Sequence, residues 1–262
     1  MTGIHRPQSE YFHSDALSPC RLETACRHSV DRPIMSPINA NLQAVKARIA
    51  AAAEGRAVTL VAVSKTQPAE RLREAFGAGQ HAFGENYVQE ALAKQEALRD
   101  LAIEWHFIGP IQSNKCKFIA PHFSWVHGVD RLKVAEQLSR LRPAEAGPLN
   151  VLVQVNVSGE VSKSGCAPQE ASALAHAVAG LANIRLRGLM TIIENVTDPA
   201  LQRAQFKRLR ELADSLREEG LSLDTLSMGM SQDFETAIRE GATLVRIGTA
   251  VFGARAPKGL AA

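Results

Sequence analysis

Residues 57–65 read AVTLVAVSK, an unbroken apolar run rich in valine that ends on a lysine. Such a run, without polar alternation, is the pattern of a strand covered on both faces, as in a parallel sheet. PAERLREAFGAG (68–79) follows as a helix, with Pro68 at its start and Gly77 and Gly79 closing it. Upstream, Ile38, Leu42, Val45 and Ile49 repeat at helical spacing. Downstream the same strand-then-helix unit recurs. Further strands are expected at 81–86, 103–109, 123–129, 149–157, 184–192, 223–229 and 243–248. Helices are expected at 87–98, 112–120, 130–141, 167–181, 198–220 and 231–241, and the remainder (249–262) reads as a short tail. Strict alternation requires parallel strands joined by crossover helices. Eight strand candidates fit a single TIM-type (β/α)₈ barrel of the α/β class. A doubly wound sheet would carry G-x-G-x-x-G after the first strand; SKTQPAE (64–70) stands there instead.

Composition narrows the function. The 262 residues are 45% hydrophobic but only 5% aromatic, so the core is aliphatic. The net charge of +3, from 30 basic and 27 acidic residues, is too mild for a nucleic-acid stripe. No apolar run approaches a membrane span. The four cysteines (Cys20, Cys26, Cys116, Cys166) form neither a C-x-x-C pair nor a zinc spacing. They point to a reducing, cytoplasmic setting. Residues 1–34 lack both apolar periodicity and the core of a signal peptide. They are expected to be a disordered extension, with Met35 the true start and residues 35–262 the barrel domain.

A barrel of this kind works at the C-terminal ends of its strands. Those ends carry Lys65, then Glu85 and Asn86, His106, His127, Asn156 and Ser158, Met190 and Thr191, Ser227 to Ser231, and Arg246. Lys65 directly follows a run expected to be wholly buried. Burial disfavours an ammonium, and a neutral amine is what Schiff-base chemistry needs. The plainer alternative is a lysine that reaches the rim and pairs with Glu85 or Glu90. At the other end of the chain, SMGMS (227–231) and RIGT (246–249) supply small residues after strands seven and eight, where such barrels bind phosphate. Gly229, Ser231, Gly248 and Thr249 fit a cradle of backbone N–H groups beside a helix N-terminus. Arg246 lies between Val245 and Ile247, and a buried guanidinium needs an acceptor, from the protein or from a ligand. Strands one and eight are neighbours in a closed barrel, so a phosphorylated aldehyde could span both sites. Pyridoxal phosphate and a phosphosugar both meet that description.

Taken together, AVSKT (62–66), FGENYVQE (83–90), WHFIGPIQSNK (105–115), VQVNVSGEVSKSG (153–165), RGLMTI (187–192), LSMGMSQDFETAI (226–238) and VRIGTAVFG (245–253) resemble the pyridoxal phosphate homeostasis proteins. The resemblance runs from Asn39 to Ala254 and leaves out the first 34 residues. It implies a fold-type III barrel like the N-terminal domain of alanine racemase, with pyridoxal 5′-phosphate as cofactor. It further implies that Lys65 carries the cofactor as an imine and that Asn86 lies beside the ring. Ser231, Gly248 and Thr249 would hold the phosphate, and Arg246 would face the pyridine nitrogen. His106, Met190 and Met230 match positions that line the pocket, and Lys163 matches a lysine held to accept or pass on the cofactor. An arginine at the ring nitrogen makes the ring a weak electron sink. The racemases add a C-terminal β-domain and a tyrosine base. Here the sequence stops soon after the last strand. Of its two tyrosines, Tyr11 falls in the extension and Tyr87 opens a helix. The expectation is a monomeric carrier that buffers pyridoxal phosphate or delivers it to apo-enzymes, with no catalytic residue, metal, nucleic acid or membrane. The alternative is a racemase-like enzyme acting on a small amino acid. An aldolase without the cofactor, or a protein-binding scaffold, ranks behind both.

Overall fold

The structure is a computed structural model that describes residues 36–160, 163–194, 196 and 198–254. The extension expected at 1–34 and the start expected at Met35 lie outside the described residues. The first element, α1 (Pro37–Ala53), begins at Ser36, whose hydroxyl accepts the Asn39 N–H and so satisfies an otherwise unpaired first-turn donor. Ile38, Leu42, Val45 and Ile49 are buried along one face, as their spacing requires.

From there strand and helix alternate: β1 (Thr59–Val63), α2 (Ala69–Gly77), β2 (Ala82–Glu85), α3 (Val88–Ala97), β3 (Glu104–Phe107), α4 (Cys116–His122), β4 (Trp125–Val129), α5 (Leu132–Leu141), β5 (Leu149–Gln154), α6 (Ala171–Ala179), β6 (Ile184–Met190), α7 (Pro199–Glu218), β7 (Thr225–Ser227), α8 (Phe234–Arg239), β8 (Leu244–Ile247) and α9 (Thr249–Phe252). The strands pair in chain order, and β8 returns to β1, closing a parallel eight-stranded barrel. At that seam Leu60 stands opposite Val245 and Val61 opposite Arg246.

Strand residues alternate between two environments, as pleating demands. Leu60, Ala62, Phe83, Phe107, Val126, Val151, Val153, Leu226, Val245 and Ile247 join the helices in one large buried apolar cluster. Their neighbours point into the barrel. Val61, Ala82 and Leu244 form one small interior cluster, and Trp125, Leu152 and Met190 another. Polar residues fill the rest of the interior, including His106, His127, Ser227 and Arg246, all buried.

Some element ends differ from the sequence reading. The fifth strand stops at Gln154. Asn156 instead organises the loop beyond, its Oδ1 accepting from the Ser158 hydroxyl and the Gly159 N–H. The tail at 249 opens with the single helical turn α9, too short to show a period. Among the described residues no helix is long and apolar enough to cross a membrane. Among the same described residues no cluster of three or more His, Cys, Asp or Glu is placed to hold a metal. Cys116 and Cys166 are buried free thiols, and burial pushes the Cys166 thiol up to about 11.

Candidate functional site

A cavity of ≈ 590 Å³ opens at the C-terminal ends of β1, β6, β7 and β8. It falls within the roughly 300–1,000 Å³ typical of small-molecule sites. One wall is Val63 and Lys65 from the end of β1. The adjoining wall is Met230 to Asp233, after β7, with Arg246 and Gly248 to Ala250 from β8 and α9. The loop from β6 to α7 closes a third side with Ile192, Ile193, Glu194 and Val196, and Lys163 reaches in from the loop after β5. Three cations (Lys65, Lys163, Arg246) and two carboxylates (Glu194, Asp233) therefore line it, a setting suited to an anion.

Lys65 is half-buried and sits on a rigid support. Beneath it, Lys94 on α3 is almost wholly buried. Its ammonium donates to the Ser64 carbonyl (2.7 Å), to Glu85 Oε1 (2.7 Å) and to Glu90 Oε1 (2.6 Å). The Ser64 hydroxyl donates to Glu85 (2.6 Å), and the Thr66 N–H donates to Glu90 (2.5 Å). Both chain neighbours of Lys65 are thus tied to one buried charge network. Thr66 adopts φ 65°, a left-handed conformation uncommon for threonine, which the network holds in place. Burial raises the Glu85 carboxyl, and the ammonium of Lys94 pulls it back.

Arg246 is fully buried on β8. Its Nη1 donates to Ser227 Oγ (2.6 Å) and its Nη2 to the Thr191 carbonyl (2.8 Å). Burial pushes its guanidinium down to about 10, which leaves it charged at neutral pH. Asp233, on the same wall, is raised by burial, and its Oδ1 accepts the Met230 N–H, fixing the turn after β7. Gly248 lies so close to β1 that a Cβ there would stand 3.1 Å from the Val63 carbonyl oxygen and 3.3 Å from Val63 Cβ. A side chain would intrude at the seam, where the bare backbone leaves room.

The structure brings Lys65, Met230, Ser231, Arg246, Gly248, Thr249 and Lys163 around this one cavity. Three expected residues stand elsewhere. His106 and Met190 are buried inside the barrel below the cavity, since their strand positions aim them at the closed interior. Met190 packs on Trp125 and Leu152. His106 bonds His127 and Glu104, so that Ser227 and Arg246 intervene between it and the cavity. Asn86, with its Oδ1 buried and unbonded, lines a separate recess with Tyr87, Gln112 and Arg131. Tyr87 is 55% exposed and lines that recess, not the cavity that Lys65 lines.

Residues 36–256 match the family described as alanine racemase, N-terminal domain. The pyridoxal phosphate homeostasis protein of Pseudomonas aeruginosa is 62% identical over 226 residues, covering 84% of this chain and 97% of that protein. The chain belongs to the pyridoxal phosphate homeostasis protein family. The Escherichia coli K12 member is 49% identical over 84% of this chain and 98% of its own length. Among solved structures, PipY of Synechococcus elongatus, with PLP bound, is 38% identical. It superposes with a TM-score of 0.75 over 82% of this chain and all of PipY. Against this family background, sequence reading missed the third cavity wall, Ile192, Ile193, Glu194 and Val196, with Gln202 of α7. The signal was present: every loop that follows a barrel strand reaches the same mouth, and TIIEN (191–195) follows the sixth strand.

Proposed function

We propose that this chain binds pyridoxal 5′-phosphate in the cavity at the β1–β8 seam and serves to hold and release it. One observation carries the reading. A lysine at the end of β1 and a small-residue, hydroxyl-bearing wall after β7 and β8 open on one cavity, across two hydrogen-bonded strands. The residues present fit the group. Gly248, lacking a Cβ, lets β8 lie close against Val63 of β1, and the lining offers two amines, two hydroxyls and a buried cation. The family name and the PLP-bound relative support the same assignment.

When bound, pyridoxal 5′-phosphate supplies an aldehyde that condenses reversibly with a primary amine and releases water. Lys65 Nζ is the amine in this reading, and the Lys94–Glu85–Glu90 network fixes its backbone. Ser231 and Thr249 offer hydroxyls, and the backbone at Gly248 and Thr249 offers N–H donors, to the phosphate. Arg246 is assigned to the ring nitrogen. A guanidinium only donates, so that nitrogen must accept and stays unprotonated. Without a proton there the ring is a poor electron sink, which favours holding over turnover of amino acids. Transient delivery to apo-enzymes follows from a reversible bond, and we assign the protein a monomeric, cytoplasmic carrier role. The described large apolar residues left exposed (Tyr87, Leu132, Leu201, Met230) come from separate elements.

Borohydride reduction of the loaded protein, followed by peptide mass mapping, tests the assignment. A pyridoxyl phosphate adduct on the Lys65 peptide is expected. Absence of any adduct in excess cofactor refutes it. One observation favours a second reading, a racemase-like enzyme: Lys163 and Glu194 share the cavity with Lys65 and could act as a second base. Exchange of the α-proton of alanine or serine into deuterated water, at ordinary enzyme rates of roughly 1–1,000 per second, would establish that reading over the carrier.

A further inference from the structure

Below the cavity, two ionisable rings lie wholly buried in the barrel, where an aliphatic layer would pack as well. They belong to an unbroken line of contacts that starts at Arg246. Arg246 Nη1 lies 2.6 Å from Ser227 Oγ, and Ser227 Oγ lies 2.9 Å from His127 Nδ1. His127 Nε2 lies 3.0 Å from His106 Nδ1, and His106 Nε2 lies 2.8 Å from Glu104 Oε1. The line crosses the barrel interior from β8 through β7 and β4 to β3. It ends at the first residue of β3, on the rim opposite the cavity, where the Glu104 side chain is 48% exposed.

With both imidazoles neutral, the two ends fix the direction of every hydrogen. A guanidinium has donors only, and a carboxylate has acceptors only. Arg246 therefore donates to Ser227, the Ser227 hydroxyl to His127 Nδ1, His127 Nε2–H to His106 Nδ1, and His106 Nε2–H to Glu104. Each imidazole then carries its hydrogen on Nε2. The competing arrangement makes His106 an imidazolium and reverses the two middle links. It places a cation on a fully buried ring and turns Ser227 into a double acceptor, so its own hydrogen loses His127 as partner. Full burial of both rings and the Arg246 cation on the His127 side favour the first arrangement, against the pull of the Glu104 carboxylate toward a charged His106. Arg246 stands at one end with Asp233 beyond it. At the other end Trp125 stacks on His106, with centroids 5.5 Å apart and rings 6° from parallel. The Arg187 guanidinium covers Trp125 at 4.8 Å, and Arg187 is itself paired with Asp224.

We propose that Ser227, His127 and His106 are positioning residues that orient the Arg246 guanidinium through a one-way hydrogen-bond line anchored on Glu104. The line commits the inward N–H of Arg246 and so aims the remaining donors at the cavity. Glu104, on the far rim and out of reach of any ligand there, thereby influences what the ligand's nitrogen meets. The consequence for the ligand rests on the pyridoxal phosphate reading; the hydrogen-bond order does not.

The first test needs no ligand. Nitrogen-15 NMR of the histidine-labelled protein at pH 7 should show His106 and His127 both neutral and both Nε2-protonated. A ring carrying hydrogen on Nδ1, or an imidazolium, overturns the proposal, and this measurement stands even if a variant fails to fold. The second test uses the protein loaded with pyridoxal 5′-phosphate. Ser227→Ala should weaken binding roughly ten-fold and move the visible absorption maximum, while Ser227→Thr restores both. Glu104→Leu should move the same band, and Glu104→Gln, which keeps an acceptor oxygen, should leave it in place. An unmoved band in both Ser227→Ala and Glu104→Leu overturns the proposal. If the wild-type protein takes up no pyridoxal phosphate, the functional reading fails while the histidine protonation pattern still decides the hydrogen-bond order.

Discussion

At the scale of single residues, the site rests on two buried charge systems with opposite responses to pH. Around Lys94 the charge is paired. Its side chain is 7% exposed and that of Glu85 is fully buried. Replacing Lys94 with Met leaves the Glu85 carboxylate without its cation, and breaking a buried pair from one side costs about 3–5 kcal/mol. Burial already raises Glu85, and losing Lys94 raises it further. For an acid whose folded value is raised, the penalty is absent below the ordinary value near 4.5 and grows as pH rises through the folded value. Urea denaturation should therefore show Lys94→Met losing more stability at pH 8 than at pH 4.5; an equal loss at both would disprove it. The histidines behave differently. Burial holds His106 below its ordinary value of 6.5 and His127 well below it. Below pH 6.5 the unfolded chain binds protons that the folded one refuses, so stability falls, by at most about 1.4 kcal/mol per pH unit for each such group, until the pH reaches its lowered folded value. Wild-type protein titrated from pH 7 to 5 should show that decline, and His127→Gln should flatten it.

At the scale of elements, β6 carries the sharpest constraint. Gly188 pairs with Leu152 where the register between β5 and β6 shifts. A Cβ at Gly188 would stand 1.8 Å from the Thr225 carbonyl oxygen, on backbone that cannot step aside. Gly188→Ala must therefore separate β6 from β7, which carry Met190 and Ser227 toward the site. Overpacking ordinarily costs about 1–3 kcal/mol. With backbone as the obstacle, the denaturation midpoint should fall by at least that much; an unchanged midpoint would mean the bulge relaxes freely. The strands were legible because runs such as LVAV (60–63) and VLVQV (151–155) are buried on both faces and need no partner to be recognised. Element ends were less so. The fifth strand reads through Asn156 and Val157, but Asn156 gives its side chain to the loop, a choice that depends on Glu160 and Ser158 folding back. Lys65, Arg246 and Gly248 were legible because position at a strand end suffices to place them at the mouth. The line from Glu104 to Arg246 was not. Residues 104, 106, 127, 227 and 246 share no sequence window, and only closure of the barrel makes β3, β4, β7 and β8 share an interior.

At the scale of the whole molecule, closure itself depends on the pairing of β8 with β1, strands that lie at opposite ends of the described barrel sequence. Closing that seam brings together segments far apart in the chain, which carries a loop-closure cost. A ligand anchored at Lys65 on one side and at Gly248 and Thr249 on the other would tie the seam from above. Ligand that binds only the folded state stabilises it by about 2.7 kcal/mol at a hundred-fold excess over the dissociation constant. For a domain of this size that corresponds to a rise of about 5–11 °C in the melting midpoint. The gain will be reduced because the aldehyde also condenses with lysines of the unfolded chain, and any affinity for the unfolded state subtracts. Pyridoxine 5′-phosphate, which has the ring and phosphate but no aldehyde, separates the two halves of the anchor. It should raise the midpoint by a smaller amount, equal in wild type and Lys65→Ala. Pyridoxal 5′-phosphate should exceed it only in wild type. If both ligands raise the Lys65→Ala midpoint as far as they raise the wild type, the seam is tied by the phosphate wall alone and Lys65 is not the anchor.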